Sequence, residues 1–289
     1  MLLLLMRTIF SIIFLLLTIY SFCQTPTELA QPIVKEGKLL YRSEMASWYG
    51  TDLFMEKYKL RDNIKGYFSY LDNGIAKCIF YSKGDIAKVI GTMSFDSTYN
   101  TETASVDLKE REFTPYEQEL YKIRTNALIE IQTDTSVFKT YENTDLNLIP
   151  LINNNERKVY VLTGPKNNGV VILGNDYLLT YDNNNQLISK KRLHQNIIPI
   201  YYGDEQKDGK EVIGTMHSHL PETGDFITAT DVCTLMLYEK MAKWKSHQVV
   251  SKNFLNIWNC ETNTLTVIPM STIDKINKDQ ESKKKKKEK

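Results

Sequence analysis

Two of the chain's four histidines stand one residue apart in the segment GTMHSH, residues 214–219, and no other stretch restricts the fold so tightly. Extended chain sends alternate side chains to opposite faces, so a strand here puts His217 and His219 side by side. Thr228 stands three residues before Asp231, the spacing of a helix cap. Residues 229–243 then predict a helix on which Leu235, Tyr238 and Ala242 share the face of Asp231. A strand end and a helix start converge on one point. Two neutral imidazoles and a carboxylate, with a fourth place left to water, are the donor set of an open zinc site, whereas closed structural sites favour several cysteines and only Cys233 is near. A surface loop with two exposed histidines is the alternative these residues leave open.

The order His217-Ser218-His219, a loop, then Thr228-Ala229-Thr230-Asp231 resembles the signature of the JAB/MPN metalloproteases, His-x-His followed after several residues by Ser-x-x-Asp. The resemblance covers residues 114–270. It departs from the family pattern at Leu220, which intervenes before Pro221, and at Thr228, which keeps a hydroxyl where serine is usual. The resemblance implies a cytidine-deaminase-like α/β (α+β) fold, one zinc ion on His217, His219 and Asp231, and hydrolysis of amide, isopeptide or peptide bonds in a peptide or protein substrate. Such hydrolysis needs a base that takes a proton from water and hands it to the leaving amine. Family members carry a glutamate for this on an upstream strand, and Glu156, just before RKVYVLTG, resembles it in order and distance. Glu211 shares the face of His217, but six extended residues set it about 20 Å away. Thr228 would steady an oxyanion, a role with which helix capping competes. A protein that keeps the JAB-like fold for binding or structure, without a working base, is the second reading. His194 and His247 are expected to be structural or exposed.

Residues 1–23 hold one charge, Arg7, and a long apolar run, which predicts an export signal and a secreted, periplasmic or cell-envelope location. Cleavage before Gln24, lipidation of Cys23 and retention as a membrane anchor all stay open, the last because the run approaches bilayer length. Without the signal three cysteines remain, Cys78, Cys233 and Cys260, an odd number that argues against a disulfide framework. The tail from Ile273 carries eight lysines against four acids, and removing it and the signal from a net charge of +1 leaves about −4 for residues 24–272. A mildly acidic body offers nothing to nucleic acid.

Residues 24–36, polar with two prolines, read as a linker, 44–57 as a short helix, and 66–96 as three antiparallel strands turning at Asp72-Asn73-Gly74 and Lys83-Gly84-Asp85. Residues 24–112 are thus expected as a smaller β-rich region ahead of the JAB/MPN-like domain, residues 113–270. Thr114, Pro115 and Glu117 predict a capped helix with Leu120, Ile123 and Ala127 on one face. Residues 133–155, rich in Asn, Asp and Thr, read as an irregular connection. Strands over 158–163, 169–173, 177–181 and 186–193 predict a four-strand meander, 248–258 with 264–269 a closing hairpin, and 271–289 a disordered lysine-rich tail.

Overall fold

The computed structural model describes residues 24–203 and 211–287, so the export segment expected over 1–23 lies outside the described residues. Thr25 caps the first helix: its hydroxyl accepts from the Glu28 N–H at 3.2 Å, and Glu28 accepts in return from the Thr25 N–H at 2.7 Å. Helix α1 runs without a break over Pro26–Lys57. This overturns the expected linker at 24–36. Pro26 sits in the first turn, where a missing N–H costs nothing, and the loss of one backbone bond at Pro32 is offset by burial of Ala30 and Val34 beside it.

Strands β1 (Ile64–Asp72), β2 (Ile75–Ser82), β3 (Val89–Phe95) and β4 (Ser105–Asp107) form an antiparallel meander. Its first turn lies where Asp72-Asn73-Gly74 predicts it, with φ of 49° and 83° at Asn73 and Gly74. Helix α2 (Pro115–Thr133) opens with the predicted capping box, Thr114 with Glu117.

Then follow β5 (Thr144–Asn153), β6 (Glu156–Pro165), β7 (Val170–Gly174), β8 (Tyr177–Tyr181), β9 (Leu187–Arg192) and β10 (Ile197–Tyr201). Strand β5 corrects the irregular connection expected over 133–155: it pairs with β6 along all ten of its residues. Its polar residues hid a strand covered on both faces. Leu146 and Leu148 pack toward Leu120, Val159 and Tyr177, while Ile149 and Leu151 pack toward Leu40, Tyr160 and Cys233. The expected meander over 158–193 is also revised, because β6 pairs directly with β8 and β7 leaves the sheet to pair with β10.

The last sheet holds β11 (Gly214–Ser218), β12 (Ser246–Val250), β13 (Phe254–Asn259) and β14 (Thr264–Pro269), in that order. Strands β11 and β12 are parallel, and helix α3 (Ala229–Ala242) is the crossover between them. The single strand expected over 248–258 is therefore two, broken at 251–253. Helix α4 (Met270–Lys287) takes up the lysine-rich end, which was expected to be disordered and is instead helical and largely exposed.

Among the described residues the fold is mixed α and β with four α-helices, and α1 ties its parts together. At Gly50 a Cβ would lie 2.6 Å from Cys78 Cβ on β2, and at Gly37 a Cβ would lie 2.6 Å from Val232 Cβ on α3. Two glycines thus let one helix approach both the N-terminal meander and the crossover helix more closely than any other residue permits. Ala30 and Val34 join Val232, Leu235, Val249 and Trp258 in the core beneath α3.

Candidate metal centre

His217 lies on β11, and His219 stands one residue past its end, with its N–H still bonded to the Val250 carbonyl at 2.8 Å. That continued pairing keeps the alternation, so both imidazoles face the same side, as the sequence predicts. Asp231 is the third residue of α3. A strand's carboxyl end and the start of its crossover helix are where parallel sheets gather ligand groups.

A fourth side chain arrives from elsewhere. His194 follows β9, and its Nε2 lies 3.3 Å from His219 Nε2 and 3.4 Å from Asp231 Oδ1. His217 Nε2 lies 3.1 Å from His219 Nε2 and 3.6 Å from Asp231 Oδ1, and His219 Nε2 is 3.3 Å from Asp231 Oδ2. One donor atom from each of the four fits within 4.8 Å of the others, and all four residues are buried. A tetrahedron with metal–ligand bonds of about 2.0–2.1 Å has edges of about 3.3–3.4 Å, so the contacts have the size of a tetrahedral metal coordination shell. Asp231 Oδ1 is buried without a hydrogen-bond partner among the described residues. A buried carboxylate oxygen left in that state is costly unless a cation meets it, so the donors fit a metal ion.

The electrostatics of the bare cluster are those of an ion pair. Burial raises the Asp231 pKa, but the imidazoles of His194 and His217 outweigh it and hold the carboxyl well below its ordinary value. Burial likewise opposes protonation of His194, but the charge of Asp231 and the contact with Asp176 prevail and push it up to about 10. His217 goes the other way, lowered to about 4 chiefly by burial, as is His247, lowered to about 3. Three neutral or deprotonable nitrogens and one carboxylate remain for a cation.

Behind the four clustered donors stands a supporting layer. His247 comes from β12, paired with Thr215 of β11 in the parallel register. Its Nε2 lies 2.8 Å from His217 Nδ1, and its Nδ1 lies 2.6 Å from Thr215 Oγ1. If His217 Nδ1–H donates to His247, the lone pair of His217 Nε2 points into the cluster, the tautomer a metal requires. Asp176 Oδ2 lies 3.3 Å from His194 Nδ1, near enough for its charge to act on that ring, although Nδ1 makes no hydrogen bond among the described residues. His219 Nδ1 has no such partner among the described residues. Replacing His247 with phenylalanine keeps the ring volume and removes the acceptor, so metal affinity is expected to fall about 10–100-fold while the fold persists. A competition titration against a chromophoric chelator measures this, and unchanged affinity would remove His247 from the centre.

The structure thus brings together His217, His219 and Asp231 as the sequence predicts, and adds two histidines expected to be structural or exposed. His194 is one of the clustered donors, and His247 is buried behind His217. The one signal that pointed to them was scarcity: the chain has four histidines, and all four meet here. Thr228 caps α3, with its hydroxyl and its N–H donating to Asp231 Oδ2 at 2.8 and 2.9 Å and its oxygen accepting from the Asp231 N–H at 3.0 Å. Its hydroxyl proton is thereby taken up by the carboxylate. Glu156 lies outside the cluster. It begins β6, is 65 % exposed and pairs with Lys158 at 2.6 Å. It does line a cleft of about 450 Å³ whose wall also includes Leu193, Ile227 and Thr228, neighbours of the clustered residues. Compared with known proteins, the chain matches no family model, no curated protein and no solved structure.

Proposed function

We propose that the protein holds one divalent cation on His194, His217, His219 and Asp231, zinc being the ion that three imidazoles and a carboxylate at this spacing suit best. The observation that carries this reading is the convergence of four buried donors, one of them an unpartnered carboxylate oxygen. Four protein donors leave no open place. The centre is in that state closed, which favours a binding or structural role over turnover.

The second reading is an exported zinc-dependent amide or isopeptide hydrolase of the JAB/MPN type. The cleft beside Leu193 and Thr228 favours it, because its wall holds the residue before His194 and the cap of the helix that carries Asp231, so a substrate lying there would be next to the cluster. His194 is also the least enclosed donor, its side chain 9 % exposed against 2 % or less for the other three. In this reading His194 swings off to open a position, Glu156 on the cleft rim moves the proton, and a bound zinc supplies Lewis acidity.

Elemental analysis of protein purified without added metal tests the shared premise. One zinc per chain is expected, and a metal-free preparation that also refuses added zinc would overturn both readings. A panel of peptides and isopeptides then separates them. The closed centre predicts no turnover by the wild type, whereas turnover abolished by Asp231→Ala and by Glu156→Gln would establish the hydrolase.

A further inference from the structure

A second polar cavity, of about 230 Å³, opens between α1, β1, α2 and β5, on residues that take no part in the metal centre. Ser43, Glu44 and Ser47 face it from α1, Tyr67 and Ser69 from β1, Arg124 from α2, and Asp145 from β5. The serines are satisfied among themselves: Ser43 donates to the Ser69 carbonyl at 2.9 Å, and the Ser47 and Ser69 hydroxyls share a bond of 2.8 Å. Asp145 is engaged at the mouth by Lys166 at 3.0 Å.

Three groups are left over. The Glu44 carboxylate and the Tyr67 hydroxyl have no hydrogen-bond partner among the described residues, and Arg124 Nε is buried without one although its NH1 reaches Tyr81 at 3.1 Å. Burial pushes Glu44 up to about 7 because Arg124 compensates it only in part. Tyr67 is raised to about 12 by burial and by Glu44. The buried Arg124 Nε is costly to leave unpaired, and beside it a half-buried carboxylate without a hydrogen-bond partner offers the opposite charge to a ligand.

We propose that this cavity binds a small zwitterion of the α-amino-acid class, its ammonium on Glu44 and Tyr67 and its carboxylate on Arg124. The space holds roughly seven waters at about 30 Å³ each, enough for an amino acid with a short side chain. One acid and one base at the walls favour a ligand carrying both signs over a simple cation or anion, either of which leaves one wall charge unanswered.

Calorimetric titration of the full chain with L-serine and L-alanine, and with methylammonium and acetate as half-ligands, tests the site. At least one amino acid is expected to saturate at millimolar concentration or below, with both half-ligands about tenfold weaker or worse. Glu44→Gln should weaken the amino acid at least about tenfold, and a variant that keeps the wild-type circular dichroism and zinc content excludes misfolding as the cause. The proposal is overturned if neither amino acid binds, if a half-ligand binds as well as the zwitterion, or if folded Glu44→Gln binds like the wild type.

Discussion

Asp231→Ala is expected to abolish metal binding and to destabilise the protein by about 3–5 kcal/mol, the range for removing one partner of a buried charge cluster. The two carboxylate oxygens do different work. Oδ2 accepts from the N–H and hydroxyl of Thr228 and closes the capping box of α3, worth about 1–2 kcal/mol by itself. Oδ1 faces the imidazoles and has no other partner among the described residues. Asp231→Asn separates the two: an amide oxygen still accepts from Thr228, so the helix start survives, while the missing charge removes the metal. Elemental analysis with chemical denaturation reads both effects. Equimolar zinc retained by Asp231→Ala would refute the site.

The same residues set a pH dependence. His194 is raised from an ordinary value of 6.5 to about 10 in the metal-free cluster, so a cation must displace its proton, and affinity should climb with pH through neutrality by up to about tenfold per unit. Without metal, the sign for stability is opposite at the alkaline end. The raised His194 contributes in full below 6.5 and loses its contribution as pH rises toward about 10, and the depressed Asp231 loses its own as pH falls below its ordinary 3.8. His217 and His247, both depressed by burial, cost stability as pH falls below 6.5, so the stripped protein is expected to be most stable near pH 6.5 and to weaken on either side. Thermal melts of chelator-treated protein across pH measure this.

Gly37→Ala is the second large effect, about 3 kcal/mol of destabilisation at the upper end of overpacking costs. The added methyl would lie 2.6 Å from Val232 Cβ and 2.8 Å from the Ala229 carbonyl oxygen. Rotation of Val232 would move Cγ1, also at 2.8 Å, but not Cβ, which is fixed to the backbone. The carbonyl belongs to the first turn of α3, the turn that carries Asp231, so relief of the clash displaces the ligand and zinc affinity falls with stability. Pairing the change with Val232→Ala should recover part of the loss and no more, since the backbone contact persists. Wild-type stability and affinity in Gly37→Ala would show that α1 and α3 are not in this contact.

Local signals told most of what was legible. The Thr25 box was missed, yet the Thr114 box, the Asn73-Gly74 turn and the His-x-His strand followed by a Thr-capped helix are all written within a few residues and appear where expected. What escaped depended on distant partners. Residues 26–36 look like linker until Ala30 and Val34 have α3 and β14 to pack on. Strand β5 divides its apolar residues between two cores and sits in a polar stretch with Asp145, Asn147 and Asn153, so its composition reads as a loop until both covers are known. His194 stands 23 positions before His217, and no periodicity links them; only the path of β9 and β10 through separate sheets delivers it to the cluster.

All four imidazoles lie inside, on or behind one cluster, so none decorates the exterior. The outer surface accordingly carries no imidazole, so histidine contributes nothing to its charge change between weakly acidic and weakly alkaline buffer. An untagged sample should therefore pass unretained through immobilised nickel. Reagents that acylate imidazole should likewise leave the four histidines of the folded protein unmodified and mark them only after unfolding, which makes histidine labelling a direct clock for opening of the centre.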